Sequence, residues 1–188
     1  LVRAKVAAIR AAQAGDDPGQ ARAYLALADR LGSPPPARLI ITHGLAGCGK
    51  SHASRRVLLS DPTATTLCLR SDVERKRLCG LAPASGSGSP LNGGIYTKDI
   101  SELTYQRLYA LTQILLAAGW SVIVDAAFLE RCRRQAFLDL AEDAGLAFSI
   151  LAPQATQAQL RARIRRRLEK GRDASEATLA VLEQQMHR

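Results

Sequence analysis

Positions 44–51 read Gly-Leu-Ala-Gly-Cys-Gly-Lys-Ser, and this octapeptide constrains the chain more than any other stretch. It has the form G-x-x-x-x-G-K-[ST], the phosphate-binding loop or Walker A pattern. Glycines at Gly44, Gly47 and Gly49 let the backbone curl, so that the amides of the loop, those of Leu45, Ala46 and Cys48 included, can face one anion. Gly49 lets the chain approach phosphates closely. Lys50 can place its ammonium on β- and γ-phosphates, and Ser51 can offer a hydroxyl to Mg²⁺. A helix beginning there adds the positive end of its dipole. Chance alone gives the pattern in roughly one chain in a hundred of this length. Its surroundings sharpen it: Leu39-Ile40-Ile41-Thr42 reads as a short buried strand and the stretch from His52 to Leu59 as a helix. Binding of ATP with Mg²⁺ is the expectation.

The chain has 188 residues, enough for one domain and some extra. No apolar run is long enough to span a membrane and no secretory signal is visible, which leads us to expect a cytoplasmic protein without membrane attachment. Cys48, Cys68, Cys79 and Cys132 show neither metal spacing nor a paired pattern and read as reduced thiols. The first residue is Leu1, so the chain is expected to be processed or excised from a longer one. The formal charge of +9 raises the question of nucleic acid. Between positions 161 and 172, however, seven residues are basic and one is acidic. So concentrated an arginine block can serve phosphoryl transfer as well as a nucleic-acid backbone.

Residues 1–37 form a helical appendage and proline linker. Val2, Val6 and Ile9 share one face of a first helix, and Tyr24, Leu25, Ala28 and Leu31 one face of a second. Ser33-Pro34-Pro35-Pro36 is a stiff connector. The appendage is either the tail of an upstream domain or a hairpin of the same domain. Residues 38–188 carry the alternation of a parallel α/β sheet with helices on both faces. Thr65 to Leu69 is a second strand, ending in Arg70-Ser71-Asp72. Ligands gather at the carboxyl ends of strands in such sheets, so Asp72 is a candidate for substrate chemistry, with Arg75 one helical turn on; Asp72 can also cap a helix. Residues 80–94, rich in Gly, Ser and Pro, are a loop that either folds over a substrate or is a bland excursion. Ser101 is the expected N-cap of a helix burying Leu108, Leu111, Leu115 and Ala118. Ser121 to Asp125 is a third strand whose final acid can hold Mg²⁺ through water or orient Ser51. A helix from Phe128 to Ala144 and a fourth strand from Ala147 to Leu151 follow. Arg131, Arg133 and Arg134 read as a solvated basic face. Gln157 to Lys170 is an arginine-rich helix, and Ser175 or Asp173 can cap the last helix.

Together, Gly44 to Ser51, Arg70-Ser71-Asp72-x-x-Arg75, Val122 to Phe128 and Arg172-Asp173-Ala174-Ser175-Glu176-Ala177 resemble the small P-loop kinases grouped with AAA-family ATPases. The resemblance runs from about Leu39 to the C-terminus. In bacteria these are often fused behind an aminoglycoside phosphotransferase-like domain, and Leu1 to Val6 is similar to the closing helix of that domain. The wider group includes polynucleotide kinase, gluconate kinase, chloramphenicol phosphotransferase and zeta-type toxins. The resemblance implies that Asp72 accepts the proton of a substrate hydroxyl and that Arg75 holds substrate. It makes the arginine-rich helix a lid, from which Arg163, Arg166 and Arg167 would neutralise the transferred phosphoryl group, an effect worth about 10³–10⁵ in rate for one arginine. Two departures stand out: no fifth strand follows the lid, and aromatic residues are only 4% of the chain, which counts against base stacking and a nucleic-acid substrate.

The sequence therefore leads us to expect an ATP- and Mg²⁺-dependent phosphotransferase with an alcohol group as acceptor. Lys50, Asp72 and the lid arginines are its catalytic candidates, and Ser51 and Asp125 its metal candidates. A polynucleotide 5′-hydroxyl kinase is the alternative enzyme. A regulatory ATP-binding module and, last, a basic nucleic-acid-binding module are the other readings.

Overall fold

The computed structural model describes residues 1–33, 35–170 and 173–187. Pro34 of the expected linker and Arg172 of the last motif lie outside them. The chain divides into two units, Leu1–Pro35 and Pro36–Arg188.

In the first unit α1 (Val2–Ala14) and α2 (Gly19–Gly32) pack on each other. Gly15 ends α1 with φ 71°, a left-handed cap that favours glycine. The buried positions are Ala4, Ala7 and Ala21. This corrects the expected apolar faces: Val2, Val6, Ile9, Leu25 and Leu31 are exposed. Small residues let the two backbones approach, and the larger side chains are left outside.

The second unit is built on a parallel sheet of order β2-β3-β1-β4, with β1 at Arg38–Thr42, β2 at Thr66–Arg70, β3 at Ser121–Asp125 and β4 at Ala147–Leu151. In register, Leu39 lies beside Val122 and Phe148, and Cys68 beside Ile123. The central β1 and β3 are near-continuous apolar runs because both their faces are covered. Leu39, Ile41, Val122 and Val124 join Leu108, Phe128 and Phe137 in the main core.

Among the described residues six α-helices complete the unit: α3 (Lys50–Leu59), α4 (Ser71–Leu78), α5 (Lys98–Ala117), α6 (Arg131–Asp143), α7 (Gln157–Lys170) and α8 (Leu179–Met186). Four expectations are corrected here. The N-cap of α5 is Thr97, whose Oγ1 accepts the Ile100 N–H, and Ser101 lies inside the helix. Its buried stripe is Thr104, Leu108, Thr112 and Leu116, while Ala118 is exposed. Threonine is tolerated there because each hydroxyl donates to the carbonyl four residues back, Ile100 and Leu108. Helix α6 starts at Arg131, because Phe128 takes φ 47° to drive its ring between Tyr105 and Phe137, with centroids 5.3 and 5.0 Å away. Finally, α8 is capped by Thr178, and neither Ser175 nor Asp173 does so. Among the described residues the sheet has four strands, and no helix is long and apolar enough to cross a membrane.

Candidate active site

The carboxyl ends of β1, β2 and β3 come out side by side, and each carries a candidate. Thr42 fastens two of these exits together. Its hydroxyl donates to the Ala126 carbonyl at 2.6 Å and accepts the Ala126 N–H at 3.0 Å. The phosphate loop leaves β1 and passes through Gly47 at φ 83° and Gly49 at φ 105°, conformations that side chains other than glycine's rarely adopt. Lys50 Nζ arches over the loop and donates to the carbonyls of Gly44 (3.0 Å) and Leu45 (2.9 Å).

Helix α7 rests directly on this loop. Ala46 and Cys48 form a second small core with Leu160, Ile164 and Leu182. Arg163 Nη1 donates to the carbonyls of Gly47 and Cys48. A Cβ on Gly47 would come within 2.9 Å of the Leu160 carbonyl oxygen and 3.2 Å of Ile164 Cγ1. Gly47→Ala is therefore expected to push α7 off the loop and to cost roughly 1–3 kcal/mol. A thermal melt and a nucleotide titration check this; wild-type values in both would show that α7 does not depend on that close approach.

A cavity of about 290 Å³ opens over the loop, lined by Lys50, Ser51, Asp72, Asp125, Arg163 and Arg167. Arg163 and Arg167, four residues apart, lie one above the other on the face of α7 turned to the loop. Arg166 falls on the solvent side and is exposed, so the structure does not bring it to the cavity. Arg167 is held by the Ala177 carbonyl, and its buried Nε has no hydrogen-bond partner.

Asp125 is almost fully buried, 4% of its side chain being exposed. Burial pushes its carboxyl above the usual range, while the Ser51 hydroxyl beside it, Arg70 and Lys50 pull the other way. Its Oδ2 lies 3.4 Å from Arg70 Nε and has no hydrogen-bond partner. Arg70 also donates to Asp173 Oδ1 at 3.0 Å. A buried carboxylate oxygen with an unused lone pair, next to a hydroxyl, is a donor set that fits Mg²⁺. Among the described residues no cluster of three or more His, Cys, Asp or Glu offers a fuller protein cage.

Asp72, in the first turn of α4, lines the phosphate cavity and also an adjoining cleft of about 230 Å³. Arg75 does not reach the phosphate cavity. It lies buried in the wall of that cleft and of a further one of about 580 Å³, with Nη1 on the Ile95 carbonyl and the Ser101 hydroxyl and its guanidinium over the Tyr96 ring. The loop at 80–94 proves to be a wall of the cleft, which Pro90, Leu91 and Asn92 line. It is tied down by Lys76, which is 1% exposed. Lys76 Nζ donates to the carbonyls of Pro83 (3.3 Å) and Ser85 (2.7 Å) and pairs with Glu176 at 2.8 Å. Ser87 donates to Glu176 through both its N–H and its hydroxyl. Sequence reasoning gave no role to Arg70, Lys76 or Gln185, which lines all three cavities. The only trace of the first two was basic charge around a strand end.

A parallel sheet with a phosphate loop after its first strand and an acid closing its third defines the P-loop kinase fold. The chain belongs to the AAA domain family AAA_33, which matches residues 39–188. No curated protein matches it in sequence. Among solved structures it is similar to the Mycobacterium tuberculosis APS kinase CysC in complex with AMPPNP and APS, with 22% identity and a TM-score of 0.54 over 77% of this chain and 78% of that one. It is similar to a chain of the Pnkp1/Rnl/Hen1 RNA repair complex, at 18% identity and a TM-score of 0.60, covering 82% of this chain but only 44% of that one. A gluconokinase from Sinorhizobium meliloti 1021 shows 19% identity and a TM-score of 0.50 over 81% of this chain and 74% of that one. At these identities the likeness concerns the fold.

Proposed function

We propose that the protein is an ATP-dependent phosphotransferase that moves the γ-phosphoryl group of Mg–ATP to a hydroxyl group of a small molecule. The observation that carries this reading is the position of Asp72, a carboxylate on the boundary between a phosphate cradle and a second cleft. A module that only bound nucleotide would need neither the cleft nor an acid at its entrance. The loop amides and Lys50 hold the β- and γ-phosphates. Asp72 takes the proton of the acceptor hydroxyl as its oxygen bonds to the γ-phosphorus and the bond to the β-phosphate oxygen breaks, leaving ADP. Arg163 and Arg167 stand on the donor side and balance the charge in transfer. Ser51 and Asp125 would hold Mg²⁺, which when bound offsets charge on the phosphate oxygens. The similar folds of an APS kinase and a gluconokinase support the reading. Residues 1–35, with their exposed Val2, Val6 and Ile9, fit the tail of an upstream phosphotransferase-like domain.

The test is ADP release from Mg–ATP by the purified chain across a panel of hydroxyl compounds: sugars, sugar acids, nucleosides, aminoglycosides and 5′-hydroxyl oligonucleotides. Stimulation by a small molecule is expected. Stimulation by oligonucleotides alone would make the protein a 5′-hydroxyl kinase. ATP binding with no stimulation by any compound would favour a regulatory module.

A further inference from the structure

Helix α8 brings one polar side chain to the place where donor and acceptor meet. Leu182, fully buried, anchors the helix against Ala46, Cys48, Leu160 and Ile164. Gln185 is one turn further along the same face. Its Oε1 accepts the Ala46 N–H of the phosphate loop at 2.7 Å. A backbone N–H can be accepted by the amide oxygen and not by the amide nitrogen, so this bond settles which way the carboxamide is turned. Its two Nε2–H donors have no hydrogen-bond partner among the described residues. Ser71 and Asp72 border the phosphate cavity and one cleft. Among the polar side chains of the described residues, Gln185 alone lines that cavity and both adjoining clefts. Lys50, Arg163 and Arg167 line only the phosphate cavity of the three.

We propose that Gln185 is a further catalytic residue, whose carboxamide, fixed on the loop by Oε1, donates through Nε2 to the phosphoryl group as it passes to the acceptor. This rests on the phosphotransferase reading. The chemistry is that of a preorganised neutral donor: Gln185 forms and breaks no covalent bond and moves no proton, and its hydrogen bonds strengthen as charge spreads over the equatorial oxygens. The acceptor proton still goes to Asp72 and the electron pair of the broken bond to ADP. A neutral donor is suited to this junction, because a further cation there would pair with Asp72.

The experiment uses the whole chain and needs no identified acceptor. Mg–ADP is titrated by calorimetry with and without aluminium fluoride, a mimic of the phosphoryl group in transfer, for wild type, Gln185→Ala, Gln185→Glu and Lys50→Ala. In wild type the fluoride should tighten Mg–ADP binding. Gln185→Ala should lose about 10²-fold of that tightening, the effect of removing one such donor, with Mg–ADP affinity itself unchanged. Gln185→Glu keeps an oxygen for the Ala46 N–H but replaces the donors with negative charge. It should lose at least as much, which separates the donor role from the docking of α8. Equal tightening in wild type and Gln185→Ala would overturn the proposal. So would stronger Mg–ADP binding by Gln185→Ala, which would mark the side chain as a plug competing with phosphate for the Ala46 N–H. No Mg–ADP binding by wild type, or the same binding in Lys50→Ala, would overturn the phosphotransferase reading and this proposal with it.

Discussion

Asp72→Ala is expected to lower acceptor-dependent ADP release by about 10²–10⁴-fold, the usual contribution of a positioned general base, and to leave Mg–ATP affinity nearly unchanged. The reasoning is positional. Asp72 stands at the edge of the phosphate cavity and opens onto the cleft, so under the proposed reaction its carboxylate meets the incoming hydroxyl. A purely structural role predicts something different. An acid in the first turn of a helix complements the dipole by about 0.3–1 kcal/mol. Its loss would then lower the melting temperature slightly and change turnover little. Asp72 caps nothing, since the N-cap of α4 is Arg70 and no side chain caps it; Asp72→Asn therefore divides the two accounts, because the amide keeps the shape but cannot take a proton. Activity close to wild type in Asp72→Asn would remove Asp72 from the chemistry. Lys50→Ala provides the contrast: it should weaken both binding and turnover, since in the proposed reaction Lys50 serves the donor in the ground state and in transfer alike.

The residues that made the fold legible are those with local, repeated signals. Leu39-Ile40-Ile41 ahead of the glycine loop, and Val122-Ile123-Val124 ahead of Asp125, are the signature of strands covered on both faces, and β1 and β3 are the two central strands. The helix interiors were harder, since Thr104 and Thr112 occupy buried positions by donating backwards along their own helix, which hydrophobic periodicity does not register. In the candidate site, the loop, Asp72, Asp125, Arg163 and Arg167 were readable because strand ends and helical spacing place them. Arg166 was not separable from its neighbour, because four arginines within five residues leave open which of them face inward. Gln185 with Ala46 and the pairs Arg70–Asp173 and Lys76–Glu176 are contacts between segments a hundred or more residues apart. Such partners leave no periodic trace, and a lysine in the basic run of α4 looks like a solvated one. Its burial comes from the loop at 80–94 and from Glu176, which only the tertiary structure brings over it.

Lys76 is accordingly where the second large effect is expected. Lys76→Ala should destabilise the protein by about 3 kcal/mol, the low end for breaking a buried ion pair from one side, because Glu176 remains 22% exposed and can turn partly to water. The carbonyls of Pro83 and Ser85 lose their donor as well. Glu176→Gln should be at least as damaging, since it leaves an ammonium that is 1% exposed without its counter-charge. Combining Lys76→Met with Glu176→Gln should cost less than the sum of the two single changes, because neither charge is then stranded. The pair also predicts a pH response. Burial raises the carboxyl of Glu176, but Lys76 and Ser87 outweigh it and hold the group below its ordinary value of 4.5. A group lowered in the folded state stabilises fully above its unfolded value and loses that contribution as the pH falls through the folded one. Wild type should therefore lose stability below about pH 4.5, and Glu176→Gln should follow a flatter curve there. Urea unfolding at neutral and acid pH measures both effects, and parallel curves would detach Glu176 from the acid response. Because the same lysine holds the wall of the cleft that Pro90, Leu91 and Asn92 line, acceptor-dependent turnover should fall more steeply than Mg–ATP affinity in Lys76→Ala. Equal losses would mean that the clamp supports the whole sheet and not the acceptor side of the site.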